Sequence, residues 1–343
     1  MPSYDHPETY KAYAFLEKGG DLKPITFKWR DPEPGEIVVK VIACGVCAGD
    51  ESGKLGVFPG TTYPIVPGHE IVGDVVAIPN TEKKWKLGQR VGAGWHGGHC
   101  HECKRCSVGD FVTCENGVIN GVTRHGGYAE YITLRREAVA AIPDGMDPAE
   151  AAPLMCAGVT TFNSLRNMSC KPPQLVAVQG IGGLGHIALQ VSKAMGYRTV
   201  ALSSSPSKAE LSMQLGAEFY LDGSKVDQGA ELQKLGGAAL IICTAPNSDI
   251  MTGLRLVEGL AVNGEILILA AVPGGTNLPL ISLLHKRASV RGWPAGSAAD
   301  SEDCCKFAKA NGVRVMVNKF SLEQAHDALE SLSSARFRAV IMP

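Results

Sequence analysis

The stretch Leu175–Gln179 runs directly into Gly180-Ile181-Gly182-Gly183-Leu184-Gly185, and an apolar-periodic segment follows over Leu184–Met195. A buried strand, a glycine turn and a helix in that order make a βαβ unit, and βαβ units build parallel sheets with helices packed on them. Strand-like runs at Thr199–Leu202, Ala239–Cys243 and Glu265–Leu269, with a helical pattern over Lys208–Leu215, continue the alternation. In such a turn Gly180 permits the bend, Gly182 lets the backbone approach a pyrophosphate, and Gly185 lets helix and strand pack closely. The pyrophosphate then sits on the helix N-terminus. A dinucleotide is therefore the expected ligand of this half of the chain.

Roughly 20 residues beyond such a turn, NAD-binding chains place Asp or Glu against the ribose hydroxyls. This chain has Ser203-Ser204-Ser205-Pro206-Ser207-Lys208 there, with no carboxylate at the strand end. Hydroxyls and an ammonium suit a 2′-phosphate, which a carboxylate would repel. The expected cofactor is NADP(H).

The N-terminal part reads differently. Short strands at Glu36–Cys44, Ile71–Ile78 and Gly127–Thr133 are broken by Gly and Pro, which suits a β-rich domain of barrel type. Near Pro148 the texture shifts to helical spacing over Pro148–Arg166. A helix over Ser321–Ser331, N-capped by Ser321, and a strand over Ala339–Met342 close the chain.

Cys100, Cys103, Cys106 and Cys114 form C-x2-C-x2-C-x7-C. Zinc takes four soft ligands at tetrahedral corners, and two-residue loops aim neighbouring thiolates at one centre. Four cysteines leave no open position, so this zinc is expected to be structural; the adjacent His96, His99 and His101 are not required as ligands. The 11 cysteines are an odd total, which argues against complete disulfide pairing. The net charge of −1 offers no basic stripe for nucleic acid or a membrane surface. No apolar run is long enough to span a bilayer, and the polar start of the chain lacks a secretory h-region. A cytoplasmic location is expected.

Cys47, His69 and Cys156 are too far apart for spacing alone to unite them. Their settings, however, are Cys44-Gly45-Val46-Cys47-x-x-Asp50, Gly68-His69-Glu70 and Cys156-Ala157-Gly158. With the four-cysteine lobe and the glycine turn, these motifs resemble the zinc-dependent medium-chain alcohol dehydrogenases, most closely the cinnamyl-alcohol and yeast-type branches, from about Lys11 to Met342.

The resemblance implies an α/β fold: a Rossmann-type doubly wound parallel sheet over residues 156–293, plus a β-rich GroES-like catalytic domain from residues 1–155 and 294–343. It implies two zincs per chain, one held by Cys47, His69 and Cys156 with a position open, the arrangement by which alcohol dehydrogenases bind catalytic zinc. Glu70 would stand behind that metal and ligate it transiently, and Asp50 would orient His69. Thr160 joins the implied cofactor contacts. Trp95, Phe58 and Trp293 are candidates to line a pocket for a small alcohol or carbonyl substrate. A homodimer or homotetramer is implied.

Two departures stand out. The family usually has Ser or Thr two residues after the first ligand to relay a proton, and here that position is Gly49; a histidine further along the relay is replaced by Ser52. Water, Ser52 or Glu51 would have to substitute, or the reaction is reduction of an iminium or a conjugated alkene, which needs no proton there. Pro79 replaces a family glycine, and only a local change of loop is expected. A non-enzymatic relative is a further class, against which the intact Cys47, His69 and Cys156 argue.

Overall fold

The computed structural model of the protein describes residues 6–245, 255–270, 278–333 and 337–343. The chain divides into two units: Met1–Val159 with Ala295–Pro343, and Thr160–Pro294. The cut falls inside the helix Ala157–Arg166.

The first unit is built on Glu36–Gly45, a ten-residue strand with a nearly continuous apolar sequence. Its length lets it pair with three others. Glu70–Ala77 runs antiparallel along one side, while Tyr131–Arg135 and Arg338–Met342 share the other. Arg90–Ala93, Val139–Ala141 and Val317–Ser321 complete a seven-stranded sheet. Ile37, Val39, Val75, Val91, Leu134 and Ile341 bury their side chains in its core. A hairpin of Thr9–Phe15 and Leu22–Lys28 lies beside it. The register sets Gly45 opposite Glu70, so the chain leaving one strand towards Cys47 passes His69 at the start of the next.

The third strand begins at Tyr131, not at Gly127 as its composition suggests. Gly126 and Gly127 instead bend under the Pro67-Gly68 backbone, where the Gly127 N–H donates to the Gly68 carbonyl at 2.8 Å. The helical spacing over Pro148–Arg166 also resolves into pieces: Pro148–Ala151, a 3-10 turn at Ala152–Met155, and Ala157–Arg166. Cys156 breaks the run with φ −129° and ψ −74°. The predicted helix at Ser321 begins as a 3-10 turn, Leu322–Gln324, and becomes α-helical over Ala325–Glu330. Pro79 opens a turn in which its carbonyl accepts from the Glu82 N–H at 2.9 Å.

Among its described residues the second unit carries six parallel strands. Their order is Phe219–Asp222, Arg198–Ser203, Leu175–Gln179, Ala238–Cys243, Leu260–Ile268 and Ser289–Gly292. The chain order reverses beside Leu175–Gln179, the switch point at which open α/β sheets bind ligands. That strand is buried throughout, as an apolar strand covered on both faces should be. Among the described residues no helix is long and apolar enough to cross a membrane.

The glycine turn packs without slack. A Cβ on Gly185 would stand 1.9 Å from the Gly180 carbonyl oxygen. Gly185→Ala should therefore lower stability by about 1–3 kcal/mol as an overpacked variant, read as a lower unfolding midpoint in urea.

Candidate functional site

Three separate segments bring Cys47, His69, Glu70 and Cys156 together, with one ligand atom from each within 4.8 Å of the others. Cys47 leaves the end of the central strand, His69 and Glu70 open the antiparallel neighbour, and the broken helix turns Cys156 inward. The two Sγ atoms are 4.0 Å apart. A tetrahedral zinc with bonds of about 2.3 Å separates its sulfur ligands by about 3.8 Å, whereas a disulfide needs about 2.05 Å. Both cysteines are free thiols.

Asp50 orients the imidazole. It is fully buried, and its Oδ1 accepts from His69 Nδ1 at 2.8 Å and from the Gly68 N–H at 3.2 Å. Its Oδ2 accepts from the Cys47 N–H at 3.0 Å and the Tyr128 hydroxyl at 2.9 Å. With Nδ1 engaged, Nε2 of His69 is left buried without a hydrogen-bond partner. A buried orphan acceptor facing two thiols is the donor set a metal completes.

The electrostatics agree. A hydrogen bond from Cys156 holds the Cys47 thiol well below its usual pKa, and the charge of His69 adds to it. Burial alone would lower the pKa of His69, but Asp50 and Cys47 outweigh it and raise it well above the usual value. The anions around this ring thus call for a cation. Burial lifts the Glu70 carboxyl to about 8 against the pull of Arg338, with which it forms a buried ion pair.

Gly49 is tightly enclosed. A Cβ there would lie 2.9 Å from His69 Cε1 and 3.1 Å from the Trp95 ring. Trp95 stands edge-on to His69 at 4.9 Å, and Phe58 stands edge-on to Trp95 at 5.7 Å. An indole therefore crowds the position where a relay hydroxyl would project. Trp293 belongs to the second unit, where Arg291 covers its ring at 4.9 Å.

The four-cysteine lobe also closes on a point. The Sγ separations of Cys100–Cys114, Cys103–Cys114 and Cys100–Cys106 are 3.5, 3.8 and 3.9 Å, close to tetrahedral edges. Backbone N–H groups of Glu102 and Cys103 hold the Cys100 thiol down to about 6. His96 and His99 bond to each other at 3.1 Å and are not in the donor set.

In the second unit Gly180 adopts φ +87°, and a Cβ on Gly182 would meet nothing within 4 Å. Gly182, Gly183 and Leu184 are half-exposed, whereas the Ile181 side chain is core. The turn thus offers backbone and an open cradle to a pyrophosphate. Ser203 ends its strand, Ser205 Oγ lies 2.9 Å from Ser207 Oγ, and Ser204 is exposed. Lys208 stands at the N-cap position of the helix Ala209–Gln214 without a capping hydrogen bond from its side chain. Thr160 is 7% exposed within its helix.

Sequence reasoning missed Tyr128, Arg338 and Asp222. Asp222 pairs in register with Ser203, so a carboxylate does flank the serine loop, from the next strand. Its Oδ1 accepts from the Ser224 N–H and hydroxyl at 3.0 and 2.7 Å.

Residues 33–144 match the alcohol dehydrogenase GroES-like domain, and residues 183–309 match the zinc-binding dehydrogenase domain. The alcohol dehydrogenase patD of Penicillium expansum is 46% identical over 98% of both chains. The aldehyde reductase AdhA of Synechocystis is 34% identical over 96% of this chain and 98% of its own. The structure of a cinnamyl alcohol dehydrogenase from Sorghum bicolor superposes with a TM-score of 0.87 at 29% identity, over 97% of each chain. Fold and site together define a zinc-binding dehydrogenase. The chain belongs to the zinc-dependent medium-chain alcohol dehydrogenase family.

Two outcomes follow for the metal site. Tyr128→Phe removes one donor from a buried carboxylate, and such outer partners are typically worth 10–100-fold in metal affinity; a chelator should strip one zinc faster, with the lobe unaffected. Gly49→Thr should displace His69 or Trp95 and lower both zinc content and aldehyde reduction, and adding Trp95→Ala should recover part of the loss. Activity unchanged in Gly49→Thr would show that the position has room.

Proposed function

We propose that the protein is an NADP(H)-dependent zinc alcohol dehydrogenase or aldehyde reductase with two zincs per chain. The observation that carries this reading is the orphan Nε2 of His69 facing the Cys47 and Cys156 thiols. Zinc held there supplies the Lewis acidity that polarises a substrate oxygen, and the nicotinamide supplies or accepts hydride. Cys47, His69 and Cys156 hold the metal. Asp50 and Tyr128 fix the imidazole, and Glu70 with Arg338 balances charge behind it. The four lobe cysteines hold the structural zinc.

Proton transfer at this site has no hydroxyl at position 49. Water then carries the proton, or Ser52 substitutes. The same feature favours a second reading, reduction of an iminium or a conjugated alkene on the same scaffold.

The glycine turn takes the pyrophosphate, and Ser203, Ser204, Ser205 and Lys208 take the 2′-phosphate. Self-association as a homodimer or homotetramer is supported by Leu280, Ile281 and Leu284, which are 73%, 70% and 74% exposed on one short helix. The neighbouring Ser289–Gly292 is an edge strand among the described residues.

The test is a spectrophotometric comparison of NADPH and NADH with aromatic and aliphatic aldehydes and a cyclic iminium. The expected result is aldehyde reduction with NADPH favoured at least tenfold, and Lys208→Glu removing most of that preference, since a hydrogen bond to a charged group is worth about 1.5–3 kcal/mol. A clear NADH preference would refute the serine-loop assignment, and turnover of the iminium alone would favour the second reading. Ile281→Glu with Leu284→Glu should shift the protein to monomer in light scattering.

A further inference from the structure

A second cavity lies within the first unit, between the N-terminal hairpin and the large sheet. Its volume is about 360 Å³, within the range of small-molecule sites. One side is lined by a cluster of aromatic rings that meet mostly edge-on, and His6 stacks on one face of Trp29 at 4.3 Å. His125, Phe27, Tyr10, Tyr131 and Trp29 touch in sequence, with centroid separations of 5.0, 5.7, 5.7 and 5.5 Å. All five line the cavity.

The charged groups that line it are Lys28, Arg30 and Arg124, with no carboxylate among the described lining residues. They are not equivalent. Arg30 is bound by two carboxylates, Glu36 at 2.7 Å and Glu33 at 3.3 Å. Lys28 is exposed. Arg124 has a side chain only 21% exposed, yet its guanidinium donates to one carbonyl, that of Thr133 at 3.1 Å, and stands 4.0 Å from Glu36. A guanidinium has five N–H groups on a planar fork, so Arg124 keeps donors free to pair with a ligand. Glu33 and Glu36 are engaged by Arg30, and Asp31 accepts from the Trp29 indole N–H at 2.9 Å, which leaves Arg124 as the cation least matched by a carboxylate at this place.

His125 adds a neutral donor. Its Nδ1 accepts from the Val66 N–H at 3.3 Å, so the neutral ring carries its proton on Nε2. A planar guanidinium beside a row of rings matches a flat molecule ending in a carboxylate, since Arg binds carboxylates through two parallel hydrogen bonds and rings stack on rings.

We propose that this cavity is a second binding site, distinct from the metal centre, for a planar aromatic carboxylate whose acid group pairs with Arg124 and whose ring lies against the Tyr10–Phe27–Trp29–Tyr131 wall. The proposal is for binding alone; no metal donor set lies among the described lining residues.

The test uses the zinc-loaded protein and 2-naphthoate, followed by calorimetry and by quenching of tryptophan fluorescence. Saturable binding is expected, with 2-naphthamide, the neutral isostere, binding at least tenfold more weakly. Arg124→Met should weaken 2-naphthoate at least tenfold while leaving kcat/KM for an aldehyde within twofold. Should Arg124→Met fail to fold, Trp29→Ala, one residue past the hairpin and half-buried, decides in its place with the same expected loss. No saturable binding, equal binding of acid and amide, or binding that survives the deciding substitution would overturn the proposal; the last outcome would place the acid elsewhere, the metal centre included.

Discussion

Asp50 and Glu70 are fully buried beside two thiols, and Arg338 is the one guanidinium buried with them. With both thiols ionised, these groups would carry more negative charge than Arg338 balances, and a further cation would offset it. The arrangement around His69 is consistent with the proposed place of a cation. Asp50 engages Nδ1, fixes the ring, and leaves Nε2 aimed at the thiols. The surrounding fold serves to hold four sequence segments at that point against their mutual repulsion.

Strand pairing does most of the holding. Gly45 opposite Glu70 brings the first and second ligand segments together, and Val340 opposite Gly45 brings Arg338 behind them. The third ligand comes from a helix that fails to continue through Cys156. Pro153 within the preceding turn and the non-helical angles of Cys156 turn its thiol out of the helical path. The break that defeats a simple helical reading of Pro148–Arg166 is thus the feature that completes the donor set.

What the sequence made legible was local. The glycine turn sits between a strand and a helix, and the lobe cysteines lie within one short segment, so spacing alone speaks for each. The catalytic donor set came only through family resemblance, since Cys47 and Cys156 are 109 residues apart. Tyr128, Arg338 and Asp222 carry no local signal. Tyr128 matters through Asp50, Arg338 through Glu70 and Asp222 through its pairing with Ser203, all in separate segments of the sequence. The crowding of Gly49 by Trp95 is likewise a contact between segments and invisible to a linear reading. The strand start at Tyr131 was misplaced because Gly126 and Gly127 are used for close backbone approach to Pro67 and Gly68, not for extension.

The most direct measurement of the central claim is metal content by mass spectrometry on purified wild type and Cys156→Ser. Two zincs per chain in the wild type and one in the variant, with the fold intact by circular dichroism, is the predicted result. One zinc in the wild type, or two retained in the variant, would contradict a catalytic metal held by Cys47, His69 and Cys156.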